Sequence, residues 1–222
     1  VLSVAGALAG FTGMVRYVGD AEVTRAVHAA HPEAVAGRGQ VQAWVVGPGG
    51  ADAAGPALES ARADGVPLVI DADGLTHLRG PLGVPALLTP HAGELARLLG
   101  TERTAVEQRP LEHARTAARR FEATVLLKSP RTLVVAPDGT ARVNSTGVPW
   151  LATAGAGDVL SGLAGSLLAA GMTPFDGGSV AAWLHGAAAT AASRGGPLVA
   201  TGVASAVPDV IAALPHPAAG AM

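Results

Sequence analysis

The chain has no cysteine in its 222 residues. That excludes a disulfide framework and a thiolate site, and it is compatible with a reducing cytoplasm. Aromatic residues make up only 3%. Ala, Gly, Val and Leu dominate instead, which fits a core of helices and parallel strands built from small aliphatics. No charge sign prevails: 15 Lys and Arg stand against 17 Asp and Glu, a net charge of −2. Bulk attraction to nucleic acid or to an anionic membrane is therefore not expected. No uninterrupted apolar run reaches spanning length. The longest candidate, around Val180 to Ala192, carries His185, Gly186 and Thr190 and reads as a buried helix, with His185 packed in the core. The start lacks the basic-then-apolar pattern of a signal peptide. There is no solenoid repeat, coiled coil or long linker. The length fits a single α/β domain over residues 1–222.

What is present is a regular alternation. Val1 to Gly10 reads as a helix and Met14 to Val18 as a strand. Asp20 caps a helix to about Ala30. Strands are predicted at Ala43–Val46, Val66–Ile70, Ala86–Leu88 and Thr124–Leu127. Between them lie helices at Ala51–Ala63, from His91 to Leu99, and at Leu111–Phe121, with a polar loop over Thr101–Pro110. Thr132–Ala136 and Ala141–Val143 flank Pro137-Asp138-Gly139-Thr140, a hairpin turn signal. Pro174 opens a long helix to about Arg194. Thr201 caps a last helix, and a frayed tail is expected from Pro215 to Met222. This alternation predicts a mostly parallel sheet with helices on both faces and ligand sites at strand carboxyl ends.

Several of those strand ends carry chemistry-bearing residues. Gly47-Pro48-Gly49-Gly50 is either a ligand-binding turn or an ordinary tight one. Asp71 and Asp73 suit Mg²⁺ binding through water or a ligand hydroxyl, or they cap the next turn. Pro90 disfavours a helical Thr89, so His91 falls at a helix start, and Glu94 completes a first-turn capping network. The richest stretch runs from Asn144 to Ala170. Its loop Ala154-Gly155-Ala156-Gly157-Asp158 enters an apolar helix that Gly171 ends. A small-residue loop at a helix start offers free backbone N–H groups to an anion and lets a phosphate come close. Asp158 then places a carboxylate beside that site, as a helix cap or as a base for a hydroxyl that attacks phosphorus.

The longer pattern carries a family resemblance. Asn144-Ser145-Thr146-Gly147, with Leu151 to Gly162 (Leu-Ala-Thr-Ala-Gly-Ala-Gly-Asp-Val-Leu-Ser-Gly), resembles the ADP/ATP-dependent NAD(P)H-hydrate dehydratases of the ribokinase-like superfamily. Thr89-Pro90-His91-Ala92-Gly93-Glu94 matches that family's TPHxGE segment. Val69 to Leu75 looks like its strand-plus-DAD element. The matches run in family order over most of the chain. The resemblance implies a three-layer ribokinase-like (Rossmann-like) α/β sandwich. It implies a cytoplasmic hydro-lyase that returns hydrated NADH or NADPH (NADHX, NADPHX) to the reduced cofactor, with ADP or ATP as co-substrate and Mg²⁺ as cofactor. Asp158 would be the base, and the N–H groups of Gly155, Ala156 and Gly157 the anion hole. Gly49, Gly50, Asp73, His91 and Asp158 would hold the hydrate. Lys128, Ser129, Thr132, Asn144 and Gly157 would hold the nucleotide. A homo-oligomer and a fused or separate epimerase are the implied partners, with neither nucleic acid nor membrane.

The chain departs from the family pattern in places. The family's GPGxG turn is one residue short at Gly47–Gly50. Ser129-Pro130-Arg131 replaces the usual glycine of the KGxxT segment between Lys128 and Thr132. A strand and glycine-rich loop precede the first helix in the family and are missing before Val1, so the sequence given is expected to be a piece of a longer chain. Two other readings stay open. One is a vitamin-precursor kinase of the same superfamily, although such kinases typically carry Cys where Asp158 stands and Asn where His91 stands. The other is a non-catalytic nucleotide-binding protein, supported only by the missing loop and the altered lysine segment.

Overall fold

Short apolar runs of β-branched and leucine residues, bounded by glycine and proline, become strands, and the amphipathic stretches between them become helices. The structure, a computed structural model, describes residues 1–215. Its elements are α1 (Leu2–Leu8), β1 (Arg16–Tyr17), α2 (Ala21–Ala30), β2 (Val35–Ala36), β3 (Trp44–Val46), α3 (Ala54–Ala63), β4 (Leu68–Ile70), α4 (Ala72–Leu75), β5 (Ala86–Leu88), α5 (Ala92–Leu99), α6 (Arg103–Gln108) and α7 (Pro110–Phe121). They continue with β6 (Thr124–Leu127), β7 (Thr132–Val135), β8 (Ala141–Asn144), α8 (Ala156–Ala169), α9 (Pro174–Ser193) and α10 (Ala200–Ala212).

Strands β3 to β8 form one six-stranded sheet in sequence order. The first four are parallel, and the β6–β7–β8 hairpins are antiparallel. Alternate residues point to opposite faces. Leu68, Ile70, Leu88, Val125 and Leu127 pack with Leu58, Leu95 and Phe121 in one core. Val69, Leu87, Leu126 and Val134 pack with Leu163, Leu167 and Ala181 in the other. Helices α3, α4, α5 and α7 cover the first face, and α8, α9 and α10 with α1 cover the second. This is the predicted three-layer α/β architecture. Helix α1 lies directly on α8: a β-carbon on Gly162 would stand 1.9 Å from the Ser3 carbonyl oxygen.

Local signals fix several boundaries. Asp20 caps α2 by accepting from the Val23 amide at 2.8 Å. Thr173 caps α9, whose first residue is Pro174. Gly171, with φ of 96°, follows α8 and ends it. Other expectations differ from the structure. The supposed loop over 101–110 contains α6, a polar helix whose one buried residue, Val106, gives almost no apolar periodicity to read. Thr201 lies inside α10, and Val199 stands at the cap without a side-chain bond. The strand expected over Met14–Val18 shrinks to Arg16–Tyr17, paired with β2, which has no strong sequence signal. Of the expected tail, residues 216–222 lie outside the described residues. Among the described residues, no helix is long and apolar enough to cross a membrane.

Candidate active site

Asp71 at the carboxyl end of β4 and Lys128 at the carboxyl end of β6 both meet the start of α8. Helix α8 begins at Gly155, whose φ of 82° suits glycine and starts the turn of the loop. No side chain caps the helix. The Ala156 amide donates to the Thr153 carbonyl at 3.3 Å. The Gly157 and Asp158 amides have no such partner among the described residues, and they carry the positive end of the helix dipole. Asp158 therefore sits in the first turn without serving as the cap. Gly157 has ordinary helical dihedrals, so it is needed for space and not for an unusual backbone. A β-carbon there would lie 3.3 Å from Lys128 Nζ.

Lys128 follows β6, and its amide donates to the Pro90 carbonyl at 2.8 Å, which joins it in an isolated bridge to His91. Its ammonium donates to Asp71 Oδ1 at 2.7 Å and stands 3.7 Å from Glu94 Oε2. Asp71 also caps α4, accepting from the Ala72 amide at 2.9 Å, so the capping alternative and a site contact both hold for this residue. Asp73 lies in the first turn of α4.

His91 is the cap of α5. Its Nδ1 accepts from the amides of Gly93 and Glu94 at 3.0 and 3.2 Å, and the Glu94 carboxylate accepts from the His91 amide at 2.7 Å. An Nδ1 that accepts leaves the proton of a neutral ring on Nε2, which stands 3.6 Å from Glu94 Oε1. Burial holds the ring below the ordinary imidazole value. Glu94 opposes that shift, while Lys128, Arg97 and Arg103 add to it. The Asp158 carboxyl is shifted the other way. Burial raises it above the usual carboxylate range, Asp71 raises it further, and Lys128 pulls it back. A half-buried carboxylate with raised proton affinity, beside uncapped amides and a lysine, is equipped to take a proton next to an anion.

The remaining predicted residues fall into two groups. In the glycine turn, Gly49 has φ of 64° and open space around it, and the Gly50 amide donates to the Gly47 carbonyl at 2.9 Å. The glycine that the fold requires is Gly47, which sequence reasoning passed over. Its φ is 116°, and a β-carbon would meet the Asp71 carbonyl oxygen at 1.8 Å. Ser129, Thr132 and Asn144 line the β6–β7–β8 end of the sheet. Thr132 and Asn144 are register partners, and Ser129 and Thr132 close their own turn. Asn144 donates to the Ala182 carbonyl of α9 at 3.1 Å. His185, read as a core residue, is 5% exposed, and its Nε2 is buried without a partner. It also lies close to the Ala156 backbone and to Lys128, a placement that no spacing in the sequence signals.

Among the described residues, no group of three or more His, Cys, Asp or Glu could hold a metal ion. The one buried carboxylate near the site, Asp71, is already paired with Lys128. Among the described residues there is no resident Mg²⁺ cage.

A family model described as NAD(P)H-hydrate dehydratase matches residues 1–206. The chain is 42% identical over 211 residues to a bifunctional NAD(P)H-hydrate repair enzyme of Mycobacterium leprae, covering 89% of this chain and 44% of the relative. It is 42% identical over 172 residues to an ADP-dependent (S)-NAD(P)H-hydrate dehydratase of Neisseria meningitidis, covering 71% of this chain and 57% of that one. The chain thus spans about half the length of these relatives. A crystal structure of the ADP/ATP-dependent NAD(P)H-hydrate dehydratase of Bacillus subtilis, co-crystallised with ATP and Mg²⁺, superimposes with a TM-score of 0.88 at 25% identity, covering 95% of this chain and 83% of that one. With the uncapped start of α8, Asp158 and the His91–Glu94 cap all in place, the chain belongs to the NAD(P)H-hydrate dehydratase family.

Proposed function

We propose that this chain carries out the ADP- or ATP-dependent dehydration of (6S)-NADHX and (6S)-NADPHX to NADH and NADPH. The observation that carries this reading is the placement of Asp158 next to free helix-start amides and the Lys128 ammonium. In this mechanism Asp158 takes the proton from the hydrate hydroxyl. The hydroxyl oxygen attacks the terminal phosphoryl group of the nucleotide, and the bond from that phosphorus to its bridging oxygen breaks, releasing AMP from ADP or ADP from ATP. The amides of Gly157 and Asp158 and the Lys128 ammonium face the charge that gathers on the phosphoryl oxygens. Inorganic phosphate then leaves the ring carbon, the adjacent carbon loses a proton, and the nicotinamide double bond returns.

Neutral His91 offers an Nε2–H to the hydrate, with Asp73 and the Gly49–Gly50 turn at neighbouring strand ends. Ser129, Thr132 and Asn144 lie toward the nucleotide side. Mg²⁺ would arrive on the nucleotide phosphates, the usual arrangement where the protein provides few carboxylates. The Mycobacterium leprae relative is named as bifunctional; the second activity proposed here is an epimerase, fused or separate, that supplies the reactive epimer.

The test is return of the near-ultraviolet absorbance of reduced nicotinamide when hydrated NADH is incubated with the protein and ADP or ATP. Recovery that needs the nucleotide supports the proposal. Consumption of nucleotide without recovery points to the kinase reading.

A further inference from the structure

Asp71 is held in place by its surroundings more firmly than a helix cap needs. Its carboxylate is 1% exposed, and Oδ1 accepts both from the Ala72 amide and from Lys128 Nζ. Its carbonyl oxygen accepts from the Gly74 amide at 3.0 Å. That oxygen also abuts Gly47, where any β-carbon would collide. The next residue, Ala72, has φ of 45°, a left-handed conformation that disfavours a residue with a β-carbon. Strain of this kind persists only where the surroundings over-determine it, and it concentrates at functional sites. The helix that Asp71 caps has four residues. So short a helix does not account for a buried carboxylate, a left-handed alanine and a glycine without room for a side chain.

A buried carboxylate needs a partner. Here the partner is Lys128, the only lysine in the chain. The same ammonium faces Gly157 at the start of α8. We propose that Asp71 is a positioning residue for the reaction centre: it pins the Lys128 ammonium against Gly157 at the mouth of the α8 anion hole, and so fixes the charge beside which Asp158 works. The catalytic part of this rests on Asp158 being the base, whereas the coupling among the three residues does not.

The charged and titratable groups around this point come from every neighbouring element. Asp71 from the β4–α4 junction and Lys128 from the end of β6 face Asp158. Glu94 and His91 from α5, and His185 from α9, stand around Lys128. Asp71 makes Asp158 hold its proton more tightly, and Lys128 makes it release the proton more readily. The two influences have opposite signs, so combining the two substitutions separates the lost carboxylate from a displaced ammonium.

Asp71→Asn separates this role from capping, because Asn caps a helix as well as Asp while losing the charge. The direct readout is the side-chain carboxyl carbon resonance of Asp158 followed across pH, assigned by its loss in Asp158→Asn. No substrate is present, so the outcome stands apart from the dehydratase assay. In Lys128→Met the Asp158 midpoint rises, and because Asp71 pins the ammonium, the same substitution made in Asp71→Asn raises it less than in the parent. The turnover of Asp71→Asn falls about tenfold or more, the scale of a displaced catalytic charge, with the melting temperature kept. A rise on Lys128→Met that is as large in a folded Asp71→Asn as in the parent overturns the proposal. If Asp71→Asn does not fold, Lys128→Met decides: an Asp158 midpoint that fails to rise there overturns it equally. Shifted midpoints with full turnover in Asp71→Asn confine Asp71 to the structure and overturn its catalytic part.

Discussion

Gly157 and Lys128 stand so close that a β-carbon on the glycine would lie 3.3 Å from the lysine ammonium. The glycine belongs to the first turn of α8, where valine is a better helix former than glycine, so backbone strain is not the issue. In Gly157→Val the side chain covers the free amides and displaces the ammonium. The expected result is a melting temperature close to that of the parent, with ADP or ATP affinity and activity lost. Phosphate or sulfate competes with nucleotide in the parent and much less in the variant. A lowered melting temperature with normal nucleotide affinity would make Gly157 a packing residue alone.

Asp158→Asn keeps the fold, because the residue makes no cap bond that the amide could break. Loss of a positioned base lowers kcat by about 10²–10⁴-fold. Because burial and Asp71 raise the proton affinity of this carboxyl, the acid limb of kcat/KM in the parent lies above the ordinary Asp value of 3.8. Rate measurements from pH 7 downward check both points. Near-normal kcat in a folded Asp158→Asn removes this residue from the role of base.

His91 has two duties that substitution can separate. His91→Ala loses both the capping box and the Nε2–H, and costs about 1 kcal/mol of stability through the lost cap. His91→Asn keeps a capping acceptor and loses only the ring. Both variants bind the hydrate more weakly by calorimetry, whereas only the alanine variant melts earlier. Lys128 shares both an isolated bridge and the Glu94 carboxylate with His91, so the alanine change also loosens the nucleotide side. Hydrate affinity retained in His91→Asn would leave the residue as a cap only.

His185 gives the protein an acid-sensitive element. Burial, reinforced by Lys128 and opposed by the Ala156 backbone, lowers its proton affinity to about 4, from 6.5 in the unfolded chain. Between those values the unfolded state binds more protons than the folded one. Stability from this group is therefore whole above pH 6.5 and falls as the pH drops toward 4. In His185→Leu the stability curve is flatter over that window by up to about 1.4 kcal/mol per pH unit. Denaturant titrations of the parent and the variant at matched pH values measure the difference. Equal slopes would mean that the ring is not buried neutral.

Much of this was readable because it is local. The apolar runs Ala86–Leu88 and Thr124–Leu127 become strands where they stand in the sequence, since their neighbours on both faces are equally apolar. The His91–Glu94 box is a contact over three residues, and a spacing rule finds it. The Asp71–Lys128 pair joins residues 57 positions apart, and the local reading of Asp71 as a cap was correct while missing its partner. The unpartnered Nε2 of His185 and the need for Gly47 arise only when α9 and α4 fold back on other elements. Helix α6 stayed hidden because its sequence is polar and its stability comes from packing Val106 against the core.

The most direct test of the account measures two products in one reaction. Hydrated NADH is incubated with the protein and ADP or ATP, and both NADH regained and inorganic phosphate released are followed. The account predicts one phosphate for each NADH, no recovery without nucleotide, and loss of both products together in Asp158→Asn. Recovery of NADH without phosphate release, or both products at parental rates in Asp158→Asn, would contradict it.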